Sequence, residues 1–173
     1  MAKSEASSVN RRTEIIMAAI EVFAETGYYR ATTAMVAKRA GISQPYVFRF
    51  FETKEALLLA ALEMSWVRIA SSFRQVTDTV ADDRLERELV EAYEDILADY
   101  RSETLLQMQA QTMMEKPIRE AMQAGFREVR GIVLEAFHKI GVPHATERTL
   151  LFLARGMLCN IAMALDLPEL MEG

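Results

Sequence analysis

The chain has 173 residues, 51% of them apolar and 26% charged, with a formal net charge of −5 at pH 7, an ordinary globular composition for one domain or two small ones. Its one cysteine, Cys159, excludes an internal disulfide and fits a reducing compartment, where it reads as a small buried apolar residue. The N-terminal MAKSEASSVNRR has no apolar h-region and no segment runs 18 residues without a charge, so a soluble, unexported, cytoplasmic protein without a membrane partner is expected.

From Asn10 to Thr26, Ile16, Ile20 and Phe23 with Ala19 and Ala24 form one apolar stripe at helical spacing, which Gly27 ends. The next stretch, TTAMVAKRAGISQPYVFRFFETK from Thr32 to Lys54, reads as two short helices around a tight glycine turn. Thr32 caps the first, Val36, Ala37 and Ala40 supply its buried face, and Gly41 leaves helical geometry at positive φ. Ser43 restarts the chain as a helix with Pro45 in its first turn, and its hydroxyl is expected to accept from a free backbone N–H. Ile42, Val47 and Phe51 pack this second helix, leaving Gln44, Tyr46 and Arg49 directed elsewhere. These groups read base edges: Arg pairs with guanine, Gln with adenine, and an aromatic ring meets a thymine methyl.

Thr53 caps a longer helix running to about Gln75, and the polar VTDTVADDR reads as a connector. Leu85, Leu89, Val90, Tyr93, Ile96, Leu97 and Tyr100 then repeat at three and four. Further helices are predicted over Thr104–Glu115, over Pro117–Ile140 up to the breaker Gly141-Val142-Pro143, and from about Thr146 to Leu167. No alternating strand pattern appears, so the chain is predicted to be all-α with eight or nine helices.

The run from about Arg12 to Leu62 resembles the DNA-binding domain of the TetR family of bacterial transcriptional regulators. The resemblance is carried by the order of Gly27-Tyr28, Thr32 with Val36-Ala37, Ala40-Gly41-Ile42-Ser43, an aromatic pair, and Lys54-Glu55-Ala56-Leu57. It covers about a third of the chain, and the remaining two thirds carry no family signature. It implies an N-terminal three-helix helix-turn-helix domain over residues 1–54 with a flexible N-terminal arm. A C-terminal helical bundle for ligand binding and dimerisation would cover 55–173, with a linking helix starting near 53. The charge agrees, since residues 1–54 carry +3 and residues 55–173 carry −8, placing the basic part where phosphates would be met.

The resemblance assigns DNA contacts to Thr32, Thr33, Ser43, Gln44, Pro45, Tyr46, Phe48, Arg49 and Lys54. Where many family members carry a Leu-Tyr pair whose phenol reaches a phosphate, this chain has Val47-Phe48, so Phe48 keeps the packing surface without the hydroxyl. Lys54 lies in the first turn of its helix, where the macrodipole disfavours a cation, and a phosphate contact would explain it. Arg11 and Arg12, with Lys3 upstream, are candidates for an arm on the DNA backbone or minor groove.

The last two helices are apolar on more than one side and must be covered on more than one side. A homodimer is therefore expected, with Phe137, Leu150, Leu153, Met157 and Ile161 at its interface and Gly156 and Ala154 at close approach. Trp66, Phe73, Tyr93, Met108, Met113 and Phe126 are candidates to line a pocket for a small apolar or amphiphilic effector, with Gln107, Gln109, Gln111 and Glu115 as the polar groups nearby. No cofactor or metal is implied, because His138 and His144 lack a third ligand at metal spacing, and nucleophile-elbow, phosphate-loop and dinucleotide motifs are absent. The resemblance thus implies a non-enzymatic, sequence-specific DNA-binding transcriptional regulator, a repressor released from its operator by a small-molecule effector, with a double-stranded DNA operator and a second copy of the chain as partners; the alternative is a helical protein–protein interaction or ligand-binding module without specific DNA binding.

Overall fold

The computed structural model describes residues 2–171, and among them the regular structure is entirely helical. Eight α-helices run in order: α1 Ala2–Thr26, α2 Thr33–Arg39, α3 Gln44–Phe48, α4 Lys54–Thr79, α5 Leu85–Asp99, α6 Arg101–Ala110, α7 Lys116–Lys139 and α8 Ala145–Leu165. Two 3-10 turns, Asp82–Arg84 and Pro168–Met171, complete the chain.

Several boundaries differ from those the sequence predicts, each for a local reason. Helix α1 begins at Ala2 rather than near Asn10, and the intervening sequence contains no glycine or proline to stop a helix. The polar residues at the end of α4 stay helical to Thr79, with their hydroxyls satisfied inside the helix: Thr77 Oγ1 donates to Arg74 O at 2.9 Å and Thr79 Oγ1 to Gln75 O at 2.7 Å. Helix α6 starts at Arg101, where Tyr100 breaks from α5 with φ −128° and ψ 40°, and it ends at Ala110, before the predicted Glu115.

Helices α1, α2 and α3 close on one another over Ile16, Phe23, Val36 and Val47, all essentially excluded from solvent. Each such aliphatic or aromatic side chain removed from water contributes roughly 1.5–3 kcal/mol before entropy is counted. Helix α4 leaves this head with Leu57 and Leu58 in its core and continues into the body, where it packs most extensively against α7. One buried apolar cluster therefore runs from Ile15 in α1 to Phe152 in α8.

By length and composition α4 and α8 are each apolar enough to cross a membrane. Most of that stretch of α4 is buried inside the protein, whereas only 28% of it is buried in α8. What α8 leaves uncovered is a stripe of Leu151, Ala154, Leu158, Ile161 and Leu165, all exposed. Their spacing alternates three and four, the pattern of a helix–helix seam.

Candidate nucleic-acid interface and effector cavity

The turn between α2 and α3 is built as its sequence demands. Thr32, extended at φ −123° and ψ 154°, accepts from Met35 N at 3.2 Å. At the other end of α2, Ile42 N donates to Ala37 O at 3.0 Å and Gly41 N to Lys38 O at 3.3 Å, the paired bonds that close a helix around a left-handed residue. Gly41 is that residue, with φ +65°, and a Cβ there would meet nothing within 4 Å, so the requirement is conformational rather than spatial. Ser43 departs from expectation: its carbonyl accepts from Tyr46 N at 3.0 Å, but its side chain makes no capping bond. Pro45, lacking an N–H, lightens the need for one.

Val47 anchors α3 from beneath, fully buried, while Ser43, Gln44, Pro45, Phe48 and Arg49 are exposed and Tyr46 is half-buried. Gln44 is held in place, since its Nε2 donates to Thr33 Oγ1 at 2.8 Å. Thr33 is itself buried, and Gln44 keeps a second amide hydrogen and its carbonyl oxygen for an outside partner. The Arg49 guanidinium lies 5.2 Å from the Tyr46 ring centre, and Tyr46 stands edge-on to Phe50 at 5.4 Å. Arg49 has no carboxylate partner among the described residues. Arg39, by contrast, is held by Glu21 and Glu25 at 2.6 Å each, and its hydrogen bond lowers the Glu25 pKa below the usual carboxylate range.

Lys54 has a different local task from the one its position suggests. Its Nζ donates to the carbonyls of Tyr28 at 2.8 Å, Ala31 at 3.0 Å and Tyr29 at 3.4 Å, and lies 4.4 Å from the Tyr28 ring centre. An ammonium has three N–H groups, and three carbonyls of the α1–α2 turn can occupy them. The unfavourable place at a helix N-terminus is thus explained inside the protein, without a phosphate. Sequence spacing gave no sign of this, because the carbonyls belong to residues more than twenty positions away.

In the body, Trp66, Phe73, Tyr93 and Phe126 line a cavity of about 40 Å³, together with Gln107, Gln111, Phe152, Leu153, Met157 and Asn160. Met113 is buried in the core and Met108 half-buried, and neither reaches the cavity wall. The Tyr93 hydroxyl donates to Asn160 Oδ1 at 2.8 Å, and burial pushes its pKa up to about 12, so it stays protonated. Asn160 was not among the sequence candidates; a polar residue inside an otherwise apolar helix was the available sign.

The predicted dimer residues divide. Leu150 and Ile161 are exposed, but Phe137 is wholly buried in the subunit's own core, edge-on to Phe152 at 6.4 Å. Leu153 and Met157 face the cavity, and Gly156 faces Tyr93, so these correct the predicted interface. Helix α8 is apolar nearly all round, and periodicity alone cannot rank its faces. Burial pushes the Cys159 thiol pKa up, and among the described residues no group of three or more His, Cys, Asp or Glu is placed to hold a metal.

Helix α6 packs against α1 of the head and against α4, α5, α7 and α8 of the body. Gln107 Nε2 donates to Ser65 Oγ on α4 at 2.9 Å, and Glu103 takes a bidentate pair from Arg68 of α4 at 3.0 Å. Gln109 Nε2 donates to Ala24 O in α1 at 2.9 Å, and just beyond α6 Glu115 accepts from the Tyr29 hydroxyl at 3.0 Å.

A three-helix head with an outward-facing short helix, set on a helical body by a long shared helix, is the architecture of a helix-turn-helix domain joined to a helical bundle. Residues 15–61 match the family model described as bacterial regulatory proteins, tetR family. Over 88 residues the chain is 38% identical to the HTH-type transcriptional activator FasR of Mycolicibacterium smegmatis, covering 50% of this chain and 40% of that protein. The chain thus spans well under two thirds of the first curated relatives it matches. In three dimensions it resembles the fatty acid degradation regulator FadR from Bacillus halodurans, with a TM-score of 0.73 at 18% identity over 90% of this chain and 85% of that one. It also resembles FadR from Bacillus subtilis in complex with stearoyl-CoA, with a TM-score of 0.72 at 15% identity over 93% of this chain and 98% of that one. Over residues 15–61 the chain is thus similar to the tetR family, and over most of its length it shares the fold of the two FadR proteins.

Proposed function

We propose that the protein is a cytoplasmic homodimeric transcriptional regulator that reads a double-stranded DNA operator with α3, and a repressor released by a small-molecule effector held in the body. The observation that carries this reading is the construction of α3. Buried Val47 and left-handed Gly41 fix a short helix whose outer surface presents Gln44, Pro45, Tyr46, Phe48 and Arg49 to solvent. Arg49 and Gln44 are the base readers, Thr32 and Ser43 approach the backbone, Thr33 orients Gln44, and Lys54 holds the turn that aligns α2 with α1. Exposed Arg30 and Lys38, neither paired with a carboxylate among the described residues, add phosphate contacts.

The second copy covers the α8 seam of Leu151, Ala154, Leu158, Ile161 and Leu165. Two α3 helices related by a two-fold axis then read an inverted repeat, and their spacing decides whether both enter successive major grooves about 34–36 Å apart. An effector that favours a different spacing lowers DNA affinity by shifting the population. Helix α6 supplies the coupling, because Gln107 and Gln111 line the cavity while Gln109 and Glu115 hold the head. That a neighbour of this fold was solved with stearoyl-CoA supports a body able to take up a ligand.

Selection of the full-length protein against random duplexes tests this reading. Enrichment of an inverted repeat supports it, and a population that stays random after repeated rounds overturns it.

A further inference from the structure

The polar groups of the body cavity are unevenly balanced. Among the side chains lining it none is charged, and five are aromatic, Trp66, Phe73, Tyr93, Phe126 and Phe152. Two buried N–H donors in its wall are poorly satisfied. Trp66 is 7% exposed and its Nε1 has no hydrogen-bond partner. Asn160 is 5% exposed, and with its Oδ1 taken by Tyr93, its Nδ2 has only Met157 Sδ at 4.0 Å. The Nε2 of Gln107 is already committed to Ser65.

Buried donors left without a good partner recognise an acceptor. A carboxylate or phosphate is also an acceptor, but it would enter an apolar wall with no cation to pair it, which disfavours the charged form strongly. A neutral carbonyl or ether oxygen meets the same donors without that penalty, and aromatic walls favour edge and face contacts with a ring. The cavity volume, about 40 Å³, is room for only a few water molecules. A compact guest therefore fits by displacing Phe126, Leu153 and Met157, which are half-buried, with flexible Met157 the softest of them.

We infer that this cavity takes a compact, uncharged, largely aromatic molecule bearing one carbonyl-type acceptor, which receives the Trp66 N–H. The inference names the ligand class of the effector site in the function proposed above and rests on that reading for its regulatory consequence alone.

Trp66 is the single tryptophan of the chain, so an 15N-labelled sample of the full-length protein gives one indole N–H signal. Three probes of similar size separate the contributions at neutral pH: acetophenone, ethylbenzene, which lacks the acceptor, and benzoate, which is charged. Acetophenone is expected to move the indole signal downfield with saturation. Ethylbenzene is expected to bind about tenfold more weakly without that downfield shift, as loss of one neutral hydrogen bond implies. Benzoate is expected to give no saturable change.

Benzoate binding as tightly as acetophenone, ethylbenzene matching it, or no saturable response to acetophenone would each overturn the inference. In Trp66→Phe, calorimetry should find the advantage of acetophenone over ethylbenzene gone, and its persistence would overturn the role given to the N–H. If that variant does not fold, the comparison of the three probes on the native protein decides alone. Operator binding measured alongside keeps the two readings apart. Specific DNA binding without acetophenone binding defeats only the present inference, whereas acetophenone binding that leaves the operator occupied supports the site and defeats its use as a switch.

Discussion

The indole of Trp66 occupies the space that a side chain at Gly125 would need, for a Cβ built on Gly125 would lie 2.1 Å from Trp66 Cδ2. Both residues belong to the contact between α7 and α4, the long helix shared by head and body. Alanine normally stabilises a helix interior relative to glycine by about 0.5–1 kcal/mol. Gly125→Ala should instead destabilise by about 1–3 kcal/mol, because the ring must shift within a packed interior. Gly131, in the same helix with nothing within 4 Å of its built Cβ, is the control and should show the ordinary gain. Urea denaturation of both variants decides, and equal effects at the two glycines would remove the steric account.

Lys54→Met keeps the apolar stem and removes the ammonium that ties the Tyr28, Tyr29 and Ala31 carbonyls. Bonds from a charged donor contribute about 1.5–3 kcal/mol, so a loss of that order in unfolding free energy is expected. A lysine that chiefly contacted phosphate would leave stability unchanged and lower the salt slope of DNA binding by about one. Denaturation and a salt titration on the same variant separate these roles.

Arg49→Ala should cost about 1–3 kcal/mol at the specific operator and much less on random DNA if Arg49 reads a base. Equal losses on both would show that it meets only phosphate. Thr33→Val, which removes the acceptor that holds Gln44, should relax discrimination at the base Gln44 reads while leaving overall affinity less affected.

How much of this was legible in the sequence depends on how local each feature is. Thr32, Gly41, Pro45 and Thr53 act on backbone within a few residues, and the turn they build is the one their order predicts. Lys54, Gln109 and Glu115 bind partners 23 to 86 positions away, which no local pattern reveals. Phe137 and Met157 were placed on the outside because helices α7 and α8 are apolar on several faces, and only tertiary packing decides which face turns inward. The same ambiguity hid Leu151 and Leu158, whose exposure now marks the uncovered seam.

Leu158→Glu places a charge in the centre of that seam. Sedimentation is expected to find the native chain dimeric and this variant monomeric, with helical content unchanged by circular dichroism. A dimer that survives the change would move the interface elsewhere.

Fluorescence anisotropy at near-physiological salt tests the central claim most directly, using the inverted repeat recovered by selection and a scrambled duplex of equal length. The account predicts tight binding that favours the repeat by about a thousandfold or more. Equal weak binding to both duplexes, vanishing as salt rises, would contradict it and leave only nonspecific attraction to phosphate.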